Sequence, residues 1–145
     1  FRLFGFNVRP LELHAAIARE QLLKLVEMIA MRRQNAARFF KLVGESVPGL
    51  TFPLVNGETS PFGLAFLVPS SEVRQKLAEA LRARGIDCRL PTGGSFTKHA
   101  YGASWRSQRT PVADDVHDRG MFLGNGPFDL SEQIGRAAEV IREVL

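Results

Sequence analysis

Between Pro10 and Ser46 the apolar positions recur at helical spacing. Leu13, Ile17, Leu22, Leu25, Val26 and Ile29 step along one stripe, and Ala36, Phe39, Phe40 and Val43 carry it on. Pro10 suits a helix start, where its missing N–H would have no intrahelical partner. Gly44 and Pro48-Gly49 end the helical region. The stripe is long for one globular helix, so a bend or break is expected between Leu23 and Glu27. Beyond Gly49 the period shortens. Phe62 to Val68 reads as a buried strand closed off by Pro69. Ser70 or Ser71 caps the following helix, whose inner face is Val73, Leu77, Ala80 and Leu81, and Gly85 supplies its left-handed stop. Ile86 to Leu90 forms a second strand. From Pro91 to Thr110 the chain is aperiodic and rich in Gly, Ser and Thr, a loop long enough to be functional or mobile. Pro111 opens a short helix, and Met121 to Leu123 is a third strand. After the Gly124-Asn125-Gly126-Pro127 turn, Ser131 caps a last helix with Ile134, Ala138, Ile141 and Leu145 inward.

These elements predict an α+β fold: a long leading helical segment, then a small, mainly antiparallel three-stranded sheet covered by helices. The expected partition is a helical segment over residues 1–46 and a small α+β domain over 47–145. The apolar face of the leading segment exceeds what a small sheet can cover, so it should pack against another domain or another copy of the chain.

Composition changes this picture little. With 145 residues, 45% hydrophobic and 23% charged, the chain has the balance of a soluble globular domain. No apolar run reaches the roughly 18 residues a membrane span needs. Cys88, the single cysteine, forms no internal disulfide and falls in a strand, which predicts a buried, inert thiol and a cytoplasmic setting. The net charge of +4 is spread over helices, and Tyr101 and Trp105 are the only Tyr and Trp, so no aromatic–basic platform for nucleic acid is formed. His117 lies among Asp114, Asp115 and Asp118, a set open to reading as a metal site. The macrodipole of the helix explains the carboxylates without a metal, and His14 and His117 read as structural.

Gly5-Phe-Asn-Val-Arg-Pro-Leu-Glu12, followed by Ala15-Ala-Ile17, Gln21-Leu22 and Arg32-Arg-Gln-Asn35, resembles a hallmark of the DegT/DnrJ/EryC1/StrS family of sugar aminotransferases and related dehydratases. The likeness continues through Arg84-Gly-Ile86 to the closing helix. Asn7-Val-Arg-Pro-Leu-Glu12, Gly85-Ile-Asp-Cys-Arg89 and Gly120-Met-Phe-Leu-Gly-Asn125 are similar to the branch of 4-keto-6-deoxysugar 3-dehydratases. Leu90-Pro-Thr-Gly-Gly-Ser-Phe96 stands where the aminotransferases usually carry a His-containing segment, which favours that branch. The resemblance implies the C-terminal small domain of a fold type I transferase that uses pyridoxamine or pyridoxal 5'-phosphate. The implied substrate is a nucleotide-linked 4-keto-6-deoxysugar on the way to lipopolysaccharide O-antigen, with glutamate as a possible amino donor. The implied assembly is a homodimer that shares its active site across the interface. A sugar aminotransferase, or an interaction module that keeps the fold without catalysis, are the alternatives.

The resemblance also assigns residues. The base and the Asp that protonates the cofactor ring are expected in a larger domain N-terminal to this chain, so no catalytic residue is expected here and the isolated chain should be inactive. Asn7 is the expected ligand of the cofactor phosphate across the dimer interface, beside a Gly that permits close approach. Arg9 is the expected anion ligand, toward the substrate or the glutamate carboxylate; a salt bridge to Glu12 is the plainer reading. The Gly93–Ala103 loop is a candidate lid, with Ser95, Lys98 and His99 toward sugar or diphosphate.

Overall fold

The computed structural model describes residues 11–54, 58–105 and 110–145. Asn7, Arg9, Pro10, Asn56 and Gly57 lie outside the described residues. Helix α1 (Glu12–Leu22) and helix α2 (Leu25–Ser46) are separated at Leu23-Lys24, within the interval where the long stripe was expected to break. Strand β1 (Gly63–Leu67) leads to α3 (Ser71–Ala83), a short β2 (Cys88–Arg89), α4 (Pro111–Arg119), β3 (Gly120–Gly124) and α5 (Ser131–Val144). The sheet order is β1-β3-β2, antiparallel throughout. The α+β class and the antiparallel sheet therefore stand as expected.

Register explains which face is buried. Leu64 pairs with Leu123 and Phe66 with Met121, so these four share one face, and all are buried. Phe39 and Val43 of α2, Leu77 and Leu81 of α3, and Ala138 and Ile141 of α5 close over it, none of them more than 0% exposed. Phe39 packs beside Phe66 and edge-on to Phe52, with ring centroids at 5.8 and 6.4 Å. Residues 63, 65 and 67 pair with 124, 122 and 120 on the opposite face, which is only partly covered. An apolar hollow of about 280 Å³ lies there, bordered by Phe52, Pro53, Ala65, Leu67, Val116 and Phe122.

The leading stripe splits in two. Ala36, Phe39 and Val43 enter the core, whereas no residue of α1 is buried. Leu13, Ile17, Leu22, Leu23 and Val26 are 53–80% exposed.

Polar contacts seat α2. The Asn35 side chain is 0% exposed. Its amide donates to Asn125 Oδ1 at 3.2 Å, Gly126 O at 3.3 Å and Phe128 O at 2.8 Å, and its oxygen accepts from Leu130 N–H at 3.2 Å. Asn125 in turn donates to Arg32 O at 3.0 Å and Pro61 O at 2.8 Å. Arg33 donates to the carbonyls of Glu58 and Thr59.

Three local expectations need correction. Ser131 is not the cap of α5: it is the first helical residue, and Asp129 Oδ1 accepts both its N–H at 2.9 Å and its hydroxyl. A carboxylate before a helix start does the same work as a hydroxyl and suits the dipole. Helix α2 also runs past Gly44 to Ser46, since a single interior Gly costs only about 1 kcal/mol. The strand expected over Ile86–Leu90 narrows to Cys88–Arg89. By contrast Ser70 caps α3 by accepting from Val73 N–H at 3.3 Å, and Gly85 ends that helix region at φ +72°. Cys88 is buried, and burial pushes its thiol above the ordinary range, as an inert core cysteine requires.

Asn35→Ala should destabilise the domain by about 2–4 kcal/mol, because it strands several buried partners at once. Urea denaturation measures it; a loss below about 0.5 kcal/mol would show that water replaces the amide freely. Gly85→Ala, which meets no neighbouring atom within 4 Å, should cost about 1 kcal/mol from backbone conformation alone.

Candidate functional site

The candidate lid is built on two glycines. Gly93 and Gly94 adopt φ +79° and +55°, which a residue with a side chain rarely holds. At Gly94 the space is also taken, for a Cβ there would lie 2.1 Å from His117 Nδ1. The backbone thus turns directly over the imidazole of α4. Past this turn the expected irregular loop contains two short 3₁₀ segments, Phe96–Lys98 and Ala100–Trp105.

Three side chains on one face of α4 hold the loop down. His117 Nδ1 accepts from Ser95 N–H at 3.0 Å. Asp114 accepts from the Ser95 hydroxyl at 2.5 Å, and that hydroxyl shares a further hydrogen bond with Thr97. Both oxygens of Asp118 accept from Lys98 Nζ at 2.6 Å. Spacing of three and four residues puts 114, 117 and 118 on one side of a helix. His99 bonds the Gly93 carbonyl through Nε2 and stacks on Tyr101, with ring centroids 5.2 Å apart and 10° between planes. Phe96 stands edge-on to Tyr101 at 4.9 Å and lies 5.3 Å from Trp105.

The expected ligand contacts therefore fall into different places. Ser95 is 0% exposed and its hydroxyl is directed to Asp114, so it anchors the loop from inside. Lys98 lies at the surface but is paired with Asp118, and His99 folds back on its own loop. Asn7 and Arg9 lie outside the described residues, as does the arginine's suggested pairing with Glu12. His117, read from the sequence as structural, is the pivot of the arrangement. Its approach to Gly94 spans more than 20 residues of sequence, and no local spacing signals it.

The acidic helix also needs a revised account. Only Asp114 sits in the first turn of α4, where the dipole favours it. Asp115 pairs with Arg119 and Asp118 with Lys98 near the other end. The Lys98 hydrogen bond lowers the Asp118 carboxyl below the ordinary carboxylate range, and Arg119 does the same to Asp115. Both carboxylates are at the surface, so these pairs orient the loop more than they stabilise it. On the open sheet face, Phe62, Arg89, Thr92 and Phe122 outline a shallow pocket of about 330 Å³, where Arg89 is the cation and Asp87 its nearby carboxylate at 3.5 Å.

This architecture matches part of solved aminotransferase-fold structures. The solved structure of Escherichia coli GDP-4-keto-6-deoxy-D-mannose 3-dehydratase with bound hydrated PLP superimposes with a TM-score of 0.81 at 34% identity, over 96% of this chain and 37% of that one. A structure of the same type of enzyme with a trapped PLP-glutamate adduct gives 0.80 at 34% identity, over 97% and 38%. Among curated proteins, the GDP-4-keto-6-deoxy-D-mannose 3-dehydratase of Yersinia pseudotuberculosis is 37% identical over 99% of this chain and 38% of its own length. The sequence profile of the DegT/DnrJ/EryC1/StrS aminotransferase family matches residues 2–142. The chain belongs to that family. It spans about 38% of the length of the curated relatives it matches.

Lys98→Met should return the Asp118 carboxyl to the ordinary range. The sign follows from the lowered value: the pair favours the folded loop above the ordinary carboxylate pKa and loses that effect as pH falls through the lowered one. Carbon-detected NMR titration of Asp118 checks this, and an unmoved titration would show that Lys98 is not its partner in solution.

Proposed function

We propose that this chain is the C-terminal part of an enzyme that removes the C3 hydroxyl of a nucleotide-linked 4-keto-6-deoxysugar with pyridoxamine or pyridoxal 5'-phosphate. The observation that carries the reading is 37% identity to a 3-dehydratase across 99% of the chain, joined to the 0.81 superposition. The segment Leu90–Phe96 adds to it, because it has no His where the aminotransferase branch usually carries one. When bound, the cofactor supplies the electron sink for losing the hydroxyl. Within this reading Asn7 contributes one donor to the cofactor phosphate.

Within that reading each residue of this chain has a modest task. Asn7 offers amide hydrogens to a phosphate oxygen of the neighbouring subunit. Arg9 grips an anion through its planar fork, either the substrate's or the carboxylate of glutamate. The loop pinned to α4 borders the substrate side and keeps water out, with Lys98 and His99 the members near enough to the surface to meet a sugar or diphosphate. The exposed stripe of α1 packs against the larger domain or the second subunit of a homodimer. Residues 1–46 then serve as the joining segment and 47–145 as the small domain, with the second half of α2 contributing to the core of the latter. The enzyme works in the cytoplasm, and no helix among the described residues is long and apolar enough to cross a membrane.

In the full-length enzyme, Arg9→Ala should raise KM for the sugar or for glutamate by roughly 10–100-fold, the worth of a charge-assisted hydrogen-bonded pair. Unchanged constants for both would remove Arg9 from the site. Product analysis separates the two branches: loss of the C3 hydroxyl supports the dehydratase, and an aminated sugar retaining it supports the aminotransferase. The 145-residue chain alone should show neither cofactor absorbance nor turnover.

A further inference from the structure

We infer that His117 is a pH-sensitive latch that holds the Gly93–His99 loop against α4 only while its Nδ1 is unprotonated. The inference does not rest on the substrate reading, since it concerns one donor–acceptor pair within this chain. Ser95 N–H can only donate, so the 3.0 Å contact requires a lone pair on His117 Nδ1 and places the ring proton on Nε2. A proton arriving on Nδ1 turns the acceptor into a second donor. Attraction becomes the opposition of two N–H groups.

The surroundings leave the loop little room to adapt. Gly94 lies so close to Nδ1 that even a methyl group would not fit between them, and both Gly93 and Gly94 are already in left-handed backbone. The charged and titratable groups around the ring are Asp114 and Asp118 on α4, Lys98 and His99 on the loop, and Arg74 on α3. Asp114 accepts from Ser95, and Asp118 is neutralised by Lys98. Arg74 donates to the carbonyl of His117 itself at 2.5 Å. The His99 ring stands edge-on, with centroids 6.2 Å apart. The direction of the effect follows from the geometry of donor and acceptor alone.

Protonation removes the acceptor of the Ser95 N–H. The loop then remains tied through Ser95–Asp114, Thr97–Thr110 and Lys98–Asp118, the last a surface pair that is weak by itself. Imidazole is the one side chain here that can be both an acceptor at Nδ1 and, once protonated, a donor there.

The test is hydrogen exchange of the Ser95 amide in the full chain, read as a protection factor so that the intrinsic pH dependence cancels. Protection should fall about tenfold or more between pH 8 and 5, the equivalent of one hydrogen bond. His117→Asn places an amide oxygen near the Nδ1 position and does not titrate, so its Ser95 protection should stay level over that range. His99→Gln should keep the fall. Nitrogen chemical shifts of the His117 ring at pH 8 give an answer even if a variant does not fold: an unprotonated Nδ1 supports the latch, and a protonated one overturns it. Level protection in the unaltered chain, or an undiminished fall in His117→Asn, overturns it as well.

Discussion

The fold depends on one buried amide. Asn35 lies in the middle of a helix whose neighbouring positions are Ala36 and Phe39, and its side chain meets a turn 90 to 95 residues away in the chain. An amide is the group for this place because it donates and accepts at once. It satisfies the carbonyls of Gly126 and Phe128 and the N–H of Leu130, backbone groups that the end of β3 and the approach to α5 would otherwise bury unpaired. Asn125 repays the contact by holding the Arg32 and Pro61 carbonyls. The pair fixes α2 in rotation and in register, so that Phe39 and Val43 point into the sheet. A helix held by apolar contacts alone could slide or roll at lower cost.

Fixing α2 also divides the molecule. From Asn35 onward the helix contributes buried residues to the core, Met28, Ile29 and Met31 are half-buried, and the apolar residues from Leu11 to Val26 are largely exposed. Exposure of Leu13, Ile17, Leu22 and Val26 is the direct result, because α5 and the sheet turn are already engaged with the later half of α2. The second, partly open area is the sheet face of Ala65, Leu67 and Phe122, all half-buried. Two such apolar surfaces on a domain of this size are far more than scattered single residues require. They are the surfaces that the larger domain or second subunit of the proposed function would cover.

Much of this was legible in the sequence, for identifiable reasons. The strands and the later helices announce themselves through period, and Ser70 and Gly85 act locally, within a few residues of the element they delimit. The break at Leu23-Lys24 followed from length. What stayed hidden was long-range and polar. Asn35 looks like an ordinary polar position in an amphipathic helix, and only the fold brings it to Asn125. The family motif containing Asn35 was recognised, but recognition does not tell that the residue serves packing. Asp129 was passed over for Ser131 because both residue types cap helices and adjacent candidates cannot be ranked by type. Ser95 was expected, with Lys98 and His99, to face a sugar or diphosphate; its hydroxyl bonds Asp114, a partner 19 residues on that no local pattern announces.

The two polar anchors of this domain use the same chemistry to opposite effect. At Asn35 the partners are buried and the amide cannot titrate, so breaking the contact leaves several groups without water or protein to satisfy them, and α2 stays fixed. At His117 the acceptor is an imidazole beside a loop that water can reach through Lys98, Asp118 and His99. Unlike the amide, that ring can exchange an acceptor for a donor at the same atom. Burial and the choice of amide or imidazole therefore separate the rigid part of the domain from the part that can move. The loop is fastened where a change of protonation can release it, while the helix that joins the domain to the rest of the chain is fastened where such a change cannot reach.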